Sequence, residues 1–92
     1  MEIEFDPLKS DANAQLRGLP FSLAVGFDFE TAIYQIDNRY DYGETRIRAL
    51  GLIKGRVHAL VFTETARGIR VISLRKANQR EVKRYEQEIA DS

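Results

Sequence analysis

The chain has 92 residues, enough for one domain around one core. It has no cysteine and one histidine, which excludes a disulfide framework and a thiolate metal site and leaves little from which to build a zinc site. The formal net charge is zero, yet residues 1–44 hold three cations against nine carboxylates, a net of −6, and residues 45–92 hold eleven against five, a net of +6.

Such a split is what a polyanion-facing half produces, and also what two halves that neutralise each other in the fold produce. No apolar run approaches the ~20 residues that span a bilayer. The opening MEIEFDPLK has no basic stretch leading into an apolar one. No membrane association and a cytoplasmic location are therefore expected.

Glu2 to Phe5 alternates as a short first strand, with Ile3 and Phe5 inward. Asp6 is placed to cap a helix with Pro7 at its first position, where a missing N–H costs nothing. Leu8, Ala12, Leu16 and Leu19 recur as an apolar stripe, and Gly18 is a C-terminal stop. Pro20 opens a second short helix in which Phe21, Ala24 and Val25 share a face. A strand follows at about Thr31 to Ile36. Asp37 to Gly43 is polar and turn-rich, the expected mobile loop, with Tyr40 and Tyr42 exposed or half-packed.

From Thr45 the pattern is a meander. Arg46, Arg48, Leu50 and Leu52 line one face of a strand, and Ile47, Ala49, Gly51 and Ile53 the other. Lys54-Gly55 is a hairpin turn. Arg56 to Thr63 is apolar on both faces, the mark of a central strand. After the turn at Ala66 to Gly68, Ile69, Val71 and Ser73 alternate with Arg70, Ile72 and Leu74. Asn78 and Glu81 then form a capping box, and Val82, Tyr85 and Ile89 share a helical face opposite Arg80, Lys83 and Arg84. The expectation is one α+β domain over residues 1–92: a strand and two helices, an antiparallel sheet of three or four strands, and a terminal helix.

No metal-ligand spacing, glycine-rich phosphate loop or nucleophile elbow is present. His58, inside a strand, reads as structural. What remains is cationic: Arg46 and Arg48 on one strand face, Arg70 near the start of another strand, Arg75 and Lys76 past its end. Adjacent strands lie ~5 Å apart, so these can converge, with Ser73 and Tyr85 nearby and Arg80, Lys83 and Arg84 on the helix. For any one of these residues the expectation is a solvated basic rim with scattered ion pairs; for the cluster as a whole it is equally a phosphate-binding surface. Such a set can cleave RNA without metal or cofactor, because RNA carries its own nucleophile in the 2′-hydroxyl. The protein has only to orient the strand, neutralise charge on the phosphorane and help move protons.

The sequence also resembles the BrnT family of type II toxins. The likeness lies in Phe5-Asp6-Pro7 with Lys9 and Asn13; in Gly18, Phe21 and Ala24; in Gly43-Glu44-Thr45-Arg46 with Ala49-Leu50-Gly51; in Thr63-Glu64; and in Arg70 to Ala77 followed by Glu81 and Tyr85. The order and spacing of these pieces carry more weight than any one of them. One departure stands out. The family pattern N-x-x-K-H-G in the first helix is here Asn13 followed by Leu16, Arg17 and Gly18.

The resemblance implies a RelE-like fold and a toxin that cuts RNA and arrests translation. It implies neutralisation by a BrnA-like antitoxin with a ribbon-helix-helix part, through which alone operator DNA would be bound. It also implies roles: Arg46 and Arg70 on the scissile phosphate, Arg75 and Lys76 on flanking phosphates or the transition state, Ser73 at the strand exit, and Tyr85 as proton donor or packing group. The competing expectation is a toxin-fold binding module that serves as antitoxin partner or co-repressor, motivated by the altered first helix and the lack of an evident acid–base pair.

Overall fold

A computed structural model describes all 92 residues. The elements are β1 (Glu2–Glu4), α1 (Pro7–Arg17), a 3-10 helix (Phe21–Gly26), β2 (Ile33–Asp37), β3 (Arg46–Ile53), β4 (Arg56–Glu64), β5 (Gly68–Lys76) and α2 (Gln79–Ala90). The domain is α+β, but the sheet has five strands in the order β1-β5-β4-β3-β2, and it is mixed. β1 joins it parallel to β5, Ile3 opposite Ile69. That corrects the expected three- to four-stranded antiparallel sheet. A three-residue strand gives no sign in sequence of where it docks, and here it docks across the chain. Gly68 makes the seam possible: a Cβ there would collide with the backbone of Glu2. No helix is long and apolar enough to cross a membrane.

Both helix starts are as the sequence predicts. Asp6 accepts from the Leu8 N–H ahead of Pro7, and Gly18 closes α1 in the left-handed region at φ 70°. Asn78 and Glu81 satisfy each other's backbone N–H groups at the head of α2. The apolar stripe of α1 is a correction. Leu8 and Leu16 are 78% and 83% exposed. The helix docks instead through polar groups on another face. Ser10 is buried and its Oγ accepts from Phe21 N–H at 2.9 Å. Asn13 Nδ2 donates to the carbonyls of Leu19 and Leu74 at 2.7 and 2.8 Å. The next segment is 3-10 rather than α-helical, so three residues per turn put Phe21 and Ala24 inward and leave Val25 in solvent.

The sheet separates two apolar clusters. On one face, Ala49, Ile53, Leu60, Phe62, Ile69, Val71 and Leu74 pack under Leu19, Phe21, Ala24 and Phe27. Gly51 belongs to this face, where a Cβ would meet the Phe27 ring at 2.5 Å. On the other face, Leu50, Val57 and Ala59 pack against Tyr85 of α2, with Val82 alongside. α2 covers only part of that second face.

One irregularity in β5 decides which side chains share it. Val61 pairs with Ser73, and Phe62 pairs with Val71, so Ile72 is an extra residue, a β-bulge. Strict alternation groups Ser73 with Val71 and Leu74 with Arg70. Past the bulge the faces exchange. Leu74 enters the core with Val71, while Ser73 and Arg75 come to the side that carries Arg70, Arg46 and Arg48.

Candidate active site: an arginine cleft beside the second helix

The part of the sheet that α2 leaves open is the floor of a cleft of about 530 Å³. Gln35, Arg48, Val61, Ile72 and Ser73 form the floor. The register aligns Gln35 with Arg48, Arg48 with Val61, and Val61 with Ser73, so these residues make one row across four strands. At one end stand Asp37, Arg39, Tyr42 and Arg46; at the other stand Arg75 and, from α2, Glu81, Arg84 and Glu88. Five arginines against three carboxylates leave the lining with a net charge of +2.

The guanidinium groups are held in three different ways. Arg75 makes a two-pronged ion pair with Glu81, at 2.7 and 2.9 Å. Glu81 is also the capping carboxylate of α2, accepting from Asn78 N–H at 3.0 Å. The pair therefore rivets the strand exit to the helix start. Arg75 holds the Glu81 carboxyl down at about 2, helped by the Asn78 N–H and against burial, and Glu81 in turn raises Arg75.

Arg39 grips Asp37 in the same two-pronged way, at 2.9 Å on both prongs. Asp37 is buried, and it accepts also from Arg39 N–H and from the Tyr42 hydroxyl. The Arg39 guanidinium holds its carboxyl at about 2. The 37–43 segment, expected from sequence to be a mobile loop, is thus anchored at its base by one carboxylate.

Glu44 joins Arg70, at 2.8 and 3.1 Å, to Arg46 at 3.5 Å. Arg70 lowers its pKa, with Arg46 contributing less. Arg46 also lies over the Tyr42 ring, 4.0 Å from its centroid. Arg70 is outside the cleft proper and reaches its edge through this shared carboxylate. Arg48, half-buried at the centre of the floor, has no carboxylate within ion-pair distance. Its guanidinium, free of a carboxylate partner, is open to an incoming anion.

Of the residues singled out from sequence, Arg46, Arg48, Ser73, Arg75 and Arg84 meet in this cleft. Lys76 pairs with His58 at the end of β5, one residue beyond Arg75 and so on the opposite side of the sheet. His58 is buried, its Nδ1 2.7 Å from the Arg56 carbonyl oxygen. Tyr85 is 5% exposed and packs in the second cluster, its hydroxyl 3.4 Å from Thr31 Oγ1. Arg80 and Lys83 line a separate shallow depression with Asn78 and Gln79. Arg17, where the family pattern has histidine, reaches the Leu74 carbonyl at 3.4 Å. Arg39 and Glu88 were not anticipated, and Glu44 entered only through the Gly43-Glu44-Thr45-Arg46 likeness, without a role. The Asp37-x-Arg39 spacing at a strand end is a sequence signal for Arg39, and Glu88 has none. No three His, Asp or Glu side chains converge in a way that could hold a metal ion.

The family model described as "Ribonuclease toxin, BrnT, of type II toxin-antitoxin system" matches residues 5–81, most of the chain. The chain belongs to the BrnT family. No curated protein and no solved structure matches it. As a BrnT-family member the protein is a ribonuclease toxin whose partner is an antitoxin. The match runs from Phe5 through Glu81 and so takes in β2 to β5 and the Arg75–Glu81 rivet, leaves out β1, and stops before Arg84 and Glu88.

Proposed function

We propose that the cleft is the centre of a metal-independent endoribonuclease. Arg48, with Arg46 and Arg75 on either side, holds the scissile phosphate. The 2′-hydroxyl oxygen of the substrate attacks the adjacent phosphorus and the bond to the 5′-oxygen breaks. The products are a 2′,3′-cyclic phosphate and a 5′-hydroxyl. Guanidinium groups neutralise the charge that builds on the non-bridging oxygens. Their planar forks match phosphate oxygens and stay charged at any physiological pH.

Asp37 and Glu81, held at about 2 by their arginines, are weak bases at neutral pH. Glu88 is the cleft carboxylate without an ion pair, and it takes the 2′-hydroxyl proton. The leaving 5′-oxygen is protonated from solvent. Arg70, released from Glu44, and Arg84 hold the phosphates on either side, and Arg80 and Lys83 extend the basic path along α2. Lys76 adds charge only to strands that pass the sheet end. Tyr85 has the packing role. The antitoxin is a ribbon-helix-helix protein that covers this face with an acidic segment and carries the complex to operator DNA. Release of the toxin arrests translation.

The observation that carries this reading is Arg48, a half-buried arginine with no carboxylate partner at the centre of a cationic cleft. Expression without the antitoxin tests it. Growth arrest by the wild type, lost in Arg48→Ala and Arg46→Ala with the fold retained, is the expected result. Full toxicity of both variants would remove the assigned site. A second reading is a toxin-fold binding module that acts only as antitoxin partner or co-repressor. It is favoured by one feature: four of the six arginines at the cleft and its edge are already paired with the chain's own carboxylates. Harmless expression of folded protein alone would support that reading.

A further inference from the structure

The loop that ends the cleft carries a second kind of group. Tyr40 is 70% exposed. Its ring stands 5.8 Å from that of Tyr42, at 74°, edge to face. Tyr42 is held on two sides, by the Arg46 guanidinium over its ring and by its hydroxyl bond to buried Asp37. Asp37 also fixes Arg39, and Gly43, at φ 72°, turns the chain back with its N–H on Asp41. An exposed ring is thus set on an anchored loop, two residues before a cleft-lining aromatic that itself packs under an arginine of the proposed phosphate site. Solvent exposure of a tyrosine is ordinary. Its placement on a loop anchored by the Asp37–Arg39 pair, against the ring that Arg46 covers, is not required by packing.

We infer that Tyr40, backed by Tyr42 and Arg46, is a stacking platform for an unpaired nucleobase of the RNA strand whose phosphate lies at Arg46 and Arg48. The inference rests on the proposal that the cleft binds RNA phosphates, and it adds to it a contact with the bases. The phosphate contacts draw the strand in by charge. The ring then selects a single strand over a duplex, because only an unstacked base offers a free face. Stacking of this kind is sequence-tolerant, so it predicts preference for exposed bases rather than for one base.

The experiment compares two uncleavable single strands of equal length, one a 2′-deoxy oligonucleotide with bases and one with the bases removed. Both are titrated against the full chain over a range of salt. The wild type should bind the base-bearing strand roughly 5- to 150-fold more tightly, the range expected for one stacked base. Tyr40→Ala should bind the two strands alike, Tyr40→Phe should restore the preference, and all three proteins should show the same dependence on salt, since phosphate contacts alone set that slope. A Tyr40→Ala protein that keeps the full preference would overturn the inference while leaving the phosphate site standing. Salt-independent binding of both strands by the wild type would overturn the phosphate reading and the stacking inference with it.

Discussion

Arg46, Arg70 and Arg75 can be picked from the sequence as basic residues, but their state cannot. Each is matched by a carboxylate that lies two to twenty-six residues away, and Arg48 alone on the floor is not. Glu44 bonds to both Arg46 and Arg70, and in the proposed mechanism it competes there with a phosphate. Glu44→Gln should therefore raise affinity for single-stranded RNA by several-fold at low salt, read by fluorescence anisotropy. Unchanged or weaker binding would mean that Glu44 orients these arginines rather than competing for them. Glu81 has a different part. Its folded pKa of about 2 lies below the ordinary 4.5, so it adds stability above about pH 5 that is lost as pH falls toward 2. Allowing for the partial exposure of Arg75, its worth is on the order of 1–2 kcal/mol. Glu81→Gln should lower Tm at pH 7 and flatten, without abolishing, the acid side of the Tm profile, since Asp37 is depressed as well. An unchanged acid limb would show that the Arg75–Glu81 pair does not hold α2 to the sheet.

At the scale of elements, the strands and both helix caps were legible because each rests on local chemistry: alternation, Asp6 before Pro7, Asn78 with Glu81. Two features were not. The bulge at Ile72 is set by which side chains the core accepts, and only after it does Arg75 share a face with Arg70. The docking face of α1 was hidden because its buried stripe is polar, Ser10 and Asn13, while its leucines face solvent. The two faces give opposite mutational outcomes. Asn13→Ala removes the side-chain donor to the Leu19 carbonyl and leaves the Leu74 carbonyl only the longer Arg17 contact, and should cost about 1–3 kcal/mol. Leu16→Ala should stay within about 0.5 kcal/mol. Urea denaturation of the two variants checks this, and a larger loss for Leu16→Ala would place the leucine stripe in the core after all.

Across the whole molecule, the neutralising reading of the charge split holds in part. The acidic half supplies Glu44 and Glu2, which pair with Arg46, Arg70 and Arg67 of the basic half, and a net positive cleft is left over. The β3–β4 hairpin and β5 bring Arg46, Arg48 and Arg75 together from positions up to twenty-nine residues apart. A surface of this kind attracts a polyanion through salt-sensitive contacts and suits an acidic cover. The family assignment supplies the ribonuclease and the antitoxin. The geometry adds the cleft that we propose as the phosphate site.

The most direct test of that place is cleavage by purified protein in the presence of a chelator. The substrates are an RNA strand and the same strand with 2′-hydrogen at the cut position, and Arg48→Ala is assayed beside the wild type. The expected result is cutting of the RNA to cyclic-phosphate ends, no cutting of the substituted strand, and a loss of at least about 100-fold in Arg48→Ala at unchanged Tm. Wild-type rates from Arg48→Ala, or scission where the 2′-hydroxyl is missing, would contradict it.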